Sequence, residues 1–149
     1  MIIKEFEFED FEAVIALWEN AGLHLNMSDS RQALKQALER DADLFLVAVE
    51  GDGLVGAVLG RYDGRRGWVN HLAVARHYRE QGIGRQLMQE VERRLQLKGC
   101  ARVCLFIEPG NAGIETFYQQ FGYDRRELIL MEKWMTLPAE GKTTSSVEG

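Results

Sequence analysis

Arg79-Glu80-Gln81-Gly82-Ile83-Gly84 is the segment whose residue types and spacing best suit chemistry, and that chemistry is the holding of a diphosphate. A helix that begins here exposes N–H groups with no intrahelical partner and a partial positive charge, both of which attract phosphate oxygens. Gly82 and Gly84 have no Cβ, so an anion can approach the main chain closely, and Gly82 can take dihedrals that other residues avoid. Arg79 adds a guanidinium that pairs with phosphate. Two glycines at this position also suit a plain loop-to-helix turn, so the flanking elements have to decide.

Those elements follow from periodicity. Residues 10–21 place Phe11, Val14, Ile15 and Trp18 on one helical face before Gly22, and Ser30 to Arg40 reads as a second helix capped by Asp29 or Ser30. The linker between them, Leu23 to Met27, is a candidate rim for an acceptor site. Leu44 to Val49, Leu54 to Tyr62 and Trp68 to Val74 read as strands joined by the turns Gly51-Asp52-Gly53 and Asp63 to Gly67, an antiparallel meander. Asp63 reads as a turn former. Ile83 to Lys98 is a long helix with Leu87, Met88, Val91 and Leu95 on one face, a Glu90/Arg94 pair, and Gly99 as terminator. It crosses over to a strand Arg102 to Ile107, expected parallel to Trp68–Val74. A short helix Ala112 to Phe121 and a last strand from about Asp124 to Trp134 complete a domain of residues 1–135, and 136–149 read as a mobile polar tail.

The 149 residues suit one domain, and 46% apolar with 28% charged residues is the balance of an ordinary globule. The first residues lack the apolar run of a signal peptide or membrane span, so the cytoplasm is the expected compartment and no membrane partner is expected. A net charge of −5 argues against a nucleic-acid partner. Cys100 and Cys104, four residue steps apart in extended chain, would have Cα atoms roughly 13 Å apart, too far for a disulfide. His24, His71 and His77 show no metal-ligand spacing with them. A dinucleotide-binding fingerprint fails too: Leu87 stands at its third glycine, and seven residues separate Val74 from Gly82.

Strand, connector, R-x-x-G-x-G, amphipathic helix, second strand, then Asn111 and Tyr118 with Phe121-Gly122-Tyr123 is an order that resembles the GNAT superfamily of N-acetyltransferases. The resemblance spans roughly residues 2 to 134, and Leu44 to Ala48 with Gly60 to Gly67 is most similar to its small bacterial YpeA-like branch. It implies an α/β (α+β) fold: a mixed, mostly antiparallel sheet flanked by helices, whose parallel central pair forms an acetyl-CoA cleft. It further implies that Leu72, Ala73 and Val74 offer backbone groups to the acetyl and pantetheine part. Arg79, Glu80, Gln81, Gly82, Ile83 and Gly84 would hold the pyrophosphate, Asn111 would touch the pantetheine arm, and Tyr118 would be general acid for the departing thiolate. Glu80, where the family often has glycine, and Arg76-His77, where many members have a proline, depart from the pattern.

The implied activity is transfer of acetyl from acetyl-CoA, as co-substrate, to an amine by direct attack through a tetrahedral intermediate. The strand Arg102-Val103-Cys104-Leu105-Phe106-Ile107 carries no carboxylate, although some members hold their base there. His71, beside the thioester, and Glu108, at the strand exit, are the candidate bases. The missing carboxylate also motivates an alternative, a non-catalytic acyl-CoA-binding module of the same fold. Asn111 could instead cap the next helix, Tyr118 could be a core tyrosine, and His71 a packed histidine. The acceptor is an unassigned protein or small-molecule amine, and the chain a monomer or homodimer.

Overall fold

The apolar run Leu44 to Val49 has no polar alternation because its strand is covered on both faces. Leu44, Leu46 and Ala48 pack toward a long helix on one side, while Phe45 and Val47 pack toward two shorter helices on the other. The computed structural model describes residues 1–107 and 112–136. Its sheet has the order β1 (Ile2–Glu5), β2 (Phe45–Glu50), β3 (Gly53–Tyr62), β4 (Gly67–Val74) and β5 (Val103–Cys104). All neighbours are antiparallel except β4 and β5, which run parallel as the crossover rule requires.

Helices α1 (Phe11–Asn20) and α2 (Arg31–Asp41) cover one face, and α3 (Ile83–Leu97) covers the other. Val14, Leu17 and Trp18 of α1 are buried, and Ser30 Oγ caps α2 by accepting the Ala33 N–H at 3.1 Å. On α3, Ile83, Leu87, Met88, Val91 and Leu95 form the buried stripe. Glu90 accepts from Arg94 at 2.7 Å, and Arg94 also reaches Glu5 of β1 at 2.8 Å. A fourth helix, α4 (Ala112–Gln119), packs Phe117 and Tyr118 against the same core.

Three elements differ from expectation. β1 has too few residues to stand out as a periodic run, yet it closes the β2 edge from Ile2↔Val49 to Glu5↔Leu46. β5 covers two residues rather than Arg102 to Ile107: the pair ends at Trp68↔Cys104, ahead of a bulge where His71 and Leu72 together face Val58. A bulge bends and twists its strand, so β4 and the chain after Cys104 diverge. Residues 124–134 are not in a strand: the apolar run Leu128 to Met131 is exposed, and a ladder needs a neighbour's free edge as well as apolar residues. Both cysteines are free, and the expected polar tail falls, apart from Thr136, outside the described residues.

Candidate active site

Among the described residues, β4 is joined to β5 only at its beginning, and from Val69 onward its β5-side edge is open. Main-chain directions along it can be followed from three bonds. Gly67 N–H points to β5, reaching Arg102 O at 2.8 Å; Ala75 N–H points to β3, reaching Val55 O at 2.8 Å; and Val74 O meets Arg79 Nε at 3.0 Å. Since amides alternate along a strand, Leu72 and Val74 turn theirs toward the open side, and Ala73, paired with Ala57, turns toward β3. The extra residue at the bulge switches this parity, since Gly67 and Val69 face β5 before it.

The loop from Arg79 to Gly82 is bent by left-handed backbone at Glu80 (φ 64°) and Gly82 (φ 83°). Gln81 Nε2 closes it by donating to His77 O at 3.3 Å. The first bond of α3 runs from Gln86 N–H to Gly82 O at 3.0 Å, so the amides of Ile83, Gly84 and Arg85 have no carbonyl of their own helix to serve. These amides sit at the end of β4. A Cβ placed on Gly84 would lie 3.7 Å from Val74 Cγ2 and 3.4 Å from Phe117 Cζ, while one on Gly82 would meet nothing within 4 Å. A bulkier residue at Gly84 would therefore fill the space where strand end, helix start and α4 converge. Glu80 is exposed, as is Arg79. With its Nε spent on Val74 O, Arg79 keeps its terminal nitrogens for an anion.

Tyr118 of α4 is 9% exposed, edge-on to Phe117 and Tyr123 with centroids 5.2 and 5.8 Å away. Burial pushes its phenol up to about 12, so at neutral pH it is a proton donor. Burial, with a 2.6 Å bond to Glu92, raises Tyr123 as well.

His71 stands in the bulge with φ 54°, an unusual value for a residue with a Cβ. Its ring lies on the α1–α2 face, 4.8 Å from the Trp18 ring, and its Nε2 is 2.7 Å from Asp29 Oδ1. Asp29 belongs to a short 3-10 turn, Met27–Asp29, just past the linker expected as an acceptor rim. Sequence reading treated it as a helix cap, because its partner is 42 positions away and no local pattern signals the contact. Another hollow is lined by Arg40, Asp41, Arg61, Trp68, Phe106 and Asn70, the residue before His71 in β4, with Trp68 and Phe106 stacked at 5.4 Å. Asp63 is a turn former as expected: its carboxylate accepts the Arg66 and Arg65 N–H groups, which lower its pKa. Glu108 and Asn111 lie outside the described residues. Among those described, no group of three His, Cys, Asp or Glu side chains is placed to hold a metal ion.

Known proteins bear on this arrangement. The model of the acetyltransferase (GNAT) family matches residues 7–123. Acetyltransferase SG1711 of Sodalis glossinidius is 34% identical over 88% of this chain and 92% of its own, and Acetyltransferase ECA0875 of Pectobacterium atrosepticum is 35% identical over 89% and 94%. These names specify no branch of the family. In fold, the chain is similar to PaiA N-acetyltransferase from Thermoplasma acidophilum, solved with coenzyme A, at a TM-score of 0.74, 21% identity and coverage of 86% and 92%. The corresponding values for AAC(6')-Iy, solved with a bisubstrate analogue, are 0.72, 16%, 91% and 98%. The chain belongs to the GNAT acetyltransferase family and is, as such, an acetyl-CoA-dependent acetyltransferase.

Proposed function

We propose that this protein acetylates an amine by direct attack on the thioester, with the donor along the open edge of β4 and the amine arriving from the α1–α2 face. The observation that carries this is the convergence of three features at one place. β4 parts from β5 after Trp68, the free amides of α3 begin beside Val74, and His71 stands in the bulge between them.

The donor's diphosphate suits the amides of Ile83, Gly84 and Arg85 together with Arg79, since a helix start and a guanidinium both favour an anion there. Leu72 and Val74 N–H groups are fixed donors for the acyl and pantetheine oxygens, and donors that need no reorganisation stabilise developing negative charge most effectively. Tyr118 gives its proton to the leaving thiolate. His71 takes one from the amine. A lysine amine of pKa ~10.4 is neutral in only about one molecule in 2500 at pH 7, so a proton acceptor matters more for it than for an α-amine near ~7.8. The hollow lined by Trp68, Phe106 and Asn70, the residue before His71, is the approach assigned to the acceptor.

The test is thiol release from acetyl-CoA against primary amines, with calorimetry of CoA binding alongside. Tyr118→Phe should lower kcat by about 10²-fold with little change in KM for acetyl-CoA, the usual scale of a lost general acid. Absence of any CoA binding heat would remove the donor site, and an unchanged kcat in Tyr118→Phe would remove the tyrosine from its role.

A further inference from the structure

We propose that Asp29 is the positioning residue of the proton-accepting imidazole: it holds the Nε2–H of His71 and so leaves Nδ1 as the base, a role that rests on His71 accepting the amine proton. Asp29 is 5% exposed. A carboxylate is taken out of water at high cost unless its oxygens find donors. Both do: Oδ2 accepts the Asn26 N–H at 3.0 Å, and Oδ1 is 2.7 Å from His71 Nε2. The first bond belongs to a reciprocal cap in which Asn26 Oδ1 accepts the Ser28 N–H at 2.8 Å, so the short turn fixes the carboxylate's direction before the histidine arrives.

A carboxylate has no proton to give, so the hydrogen of this contact sits on Nε2. The lone pair is then on Nδ1, which has no hydrogen-bond partner among the described residues. Trp18 backs the ring at 4.8 Å, while the side chain keeps 24% of its surface open. The left-handed φ of His71 adds to the case: side chains are re-aimed by bulges, and a strained residue persists only where its surroundings hold it. The other buried carboxylate among the described residues, Asp41, has a different set of partners: it accepts the Tyr62 N–H at 3.2 Å and lies 3.9 Å from both Arg40 and Arg61. Asp41 braces a strand end, whereas Asp29 is aimed at an imidazole.

As the C–N bond forms, the amine proton passes to Nδ1, and Asp29 stabilises the resulting imidazolium. As the C–S bond breaks, the thiolate takes the Tyr118 proton. The imidazolium proton then returns through water to the tyrosinate, so a neutral amine is acetylated with no net proton released. A base oriented by a third group is the general logic of activated acid–base pairs.

Asp29→Asn keeps the shape and the acceptor for Asn26, but it presents an NH2 to Nε2 and drives the ring proton onto Nδ1. With acetyl-CoA and glycinamide, ethanolamine or propylamine, kcat should fall by 10²- to 10⁴-fold while KM for acetyl-CoA stays put. The deficit should be smallest for glycinamide, the weakest base of the three, and Asp29→Asn should add little to His71→Gln. Imidazole nitrogen NMR should place the proton of neutral His71 on Nε2 in the wild type, a readout that survives even if the variant fails to fold. Wild-type turnover in Asp29→Asn, full additivity with His71→Gln, or a wild-type Nδ1–H tautomer would each overturn the role of Asp29 alone. Failure of the wild type to acetylate any of the three amines would overturn the catalytic reading beneath it.

Discussion

Glu80 and His71 are the non-glycine residues with left-handed backbone among those described, and both border the open end of β4. At Glu80 the conformation explains why glycine suits the position: a Cβ there costs on the order of 1 kcal/mol. Glu80→Gly would remove that strain but add about 0.5–1 kcal/mol of unfolded-chain entropy, so Tm should move little. CoA affinity should rise a few-fold at low salt, because a carboxylate beside the diphosphate is gone, and the gain should shrink as salt screens it. Glu80→Gln separates the two effects. If CoA titrations show the same affinity for all three proteins, the charge at Glu80 does not face the phosphates. At this scale the left-handed turn at Gly82 and the start of α3 just after it were legible, because both follow from residue type and local spacing. Asp29 was not, since its meaning depends on a partner from another element.

The element that aims the free amides is α3, and a line of strand glycines sets its height above the sheet. A Cβ on Gly60 would come within 2.6 Å of Val91 Cγ2, and one on Gly56 within 3.0 Å of Leu87 Cδ1. Gly60→Ala should therefore destabilise by about 1–3 kcal/mol, the cost of overpacking a filled core. Val91→Ala in the same chain should return part of it, as measured by denaturant unfolding; an additive loss would place the strain elsewhere, for instance on the Leu44 carbonyl at 3.1 Å. Helices α1, α2 and α3 and strands β2 to β4 were readable because each has a sustained apolar period and a cap or turn at its ends. β5 was misjudged in extent and the strand expected at 124–134 in existence, because pairing is decided by a neighbour. β1 offered four residues, too few to show a period.

Over the whole molecule, ionisation sets the pH range in which these parts stay together. Hydrogen bonds from Arg93 and Arg94 hold Glu90 down at about 2, against an ordinary 4.5. A lowered carboxyl contributes its stability above 4.5 and loses it as pH falls through 2. Both partners are part-exposed, so Glu90→Gln should cost only about 1 kcal/mol near neutrality. Its Tm deficit should narrow toward pH 2. At the other end, Tyr118 and Tyr123 are raised, so folding is favoured in full below 10 and weakened as pH climbs toward 12. An alkaline titration should show two of the four tyrosines ionising together with unfolding, and a single early phase for all four would contradict their burial.

The bulge at His71 and Leu72 leaves β4 one residue out of step with Val58. A regular ladder of the same residues, with His71 alone facing Val58, would set Leu72 opposite Ala57 and Val74 opposite Val55 and swap the faces of everything after it, since side chains and amides alternate with period two. The tidier sheet would turn the Leu72 and Val74 amides inward against β3, so a miscounted strand is what keeps the edge proposed for the donor on the outside.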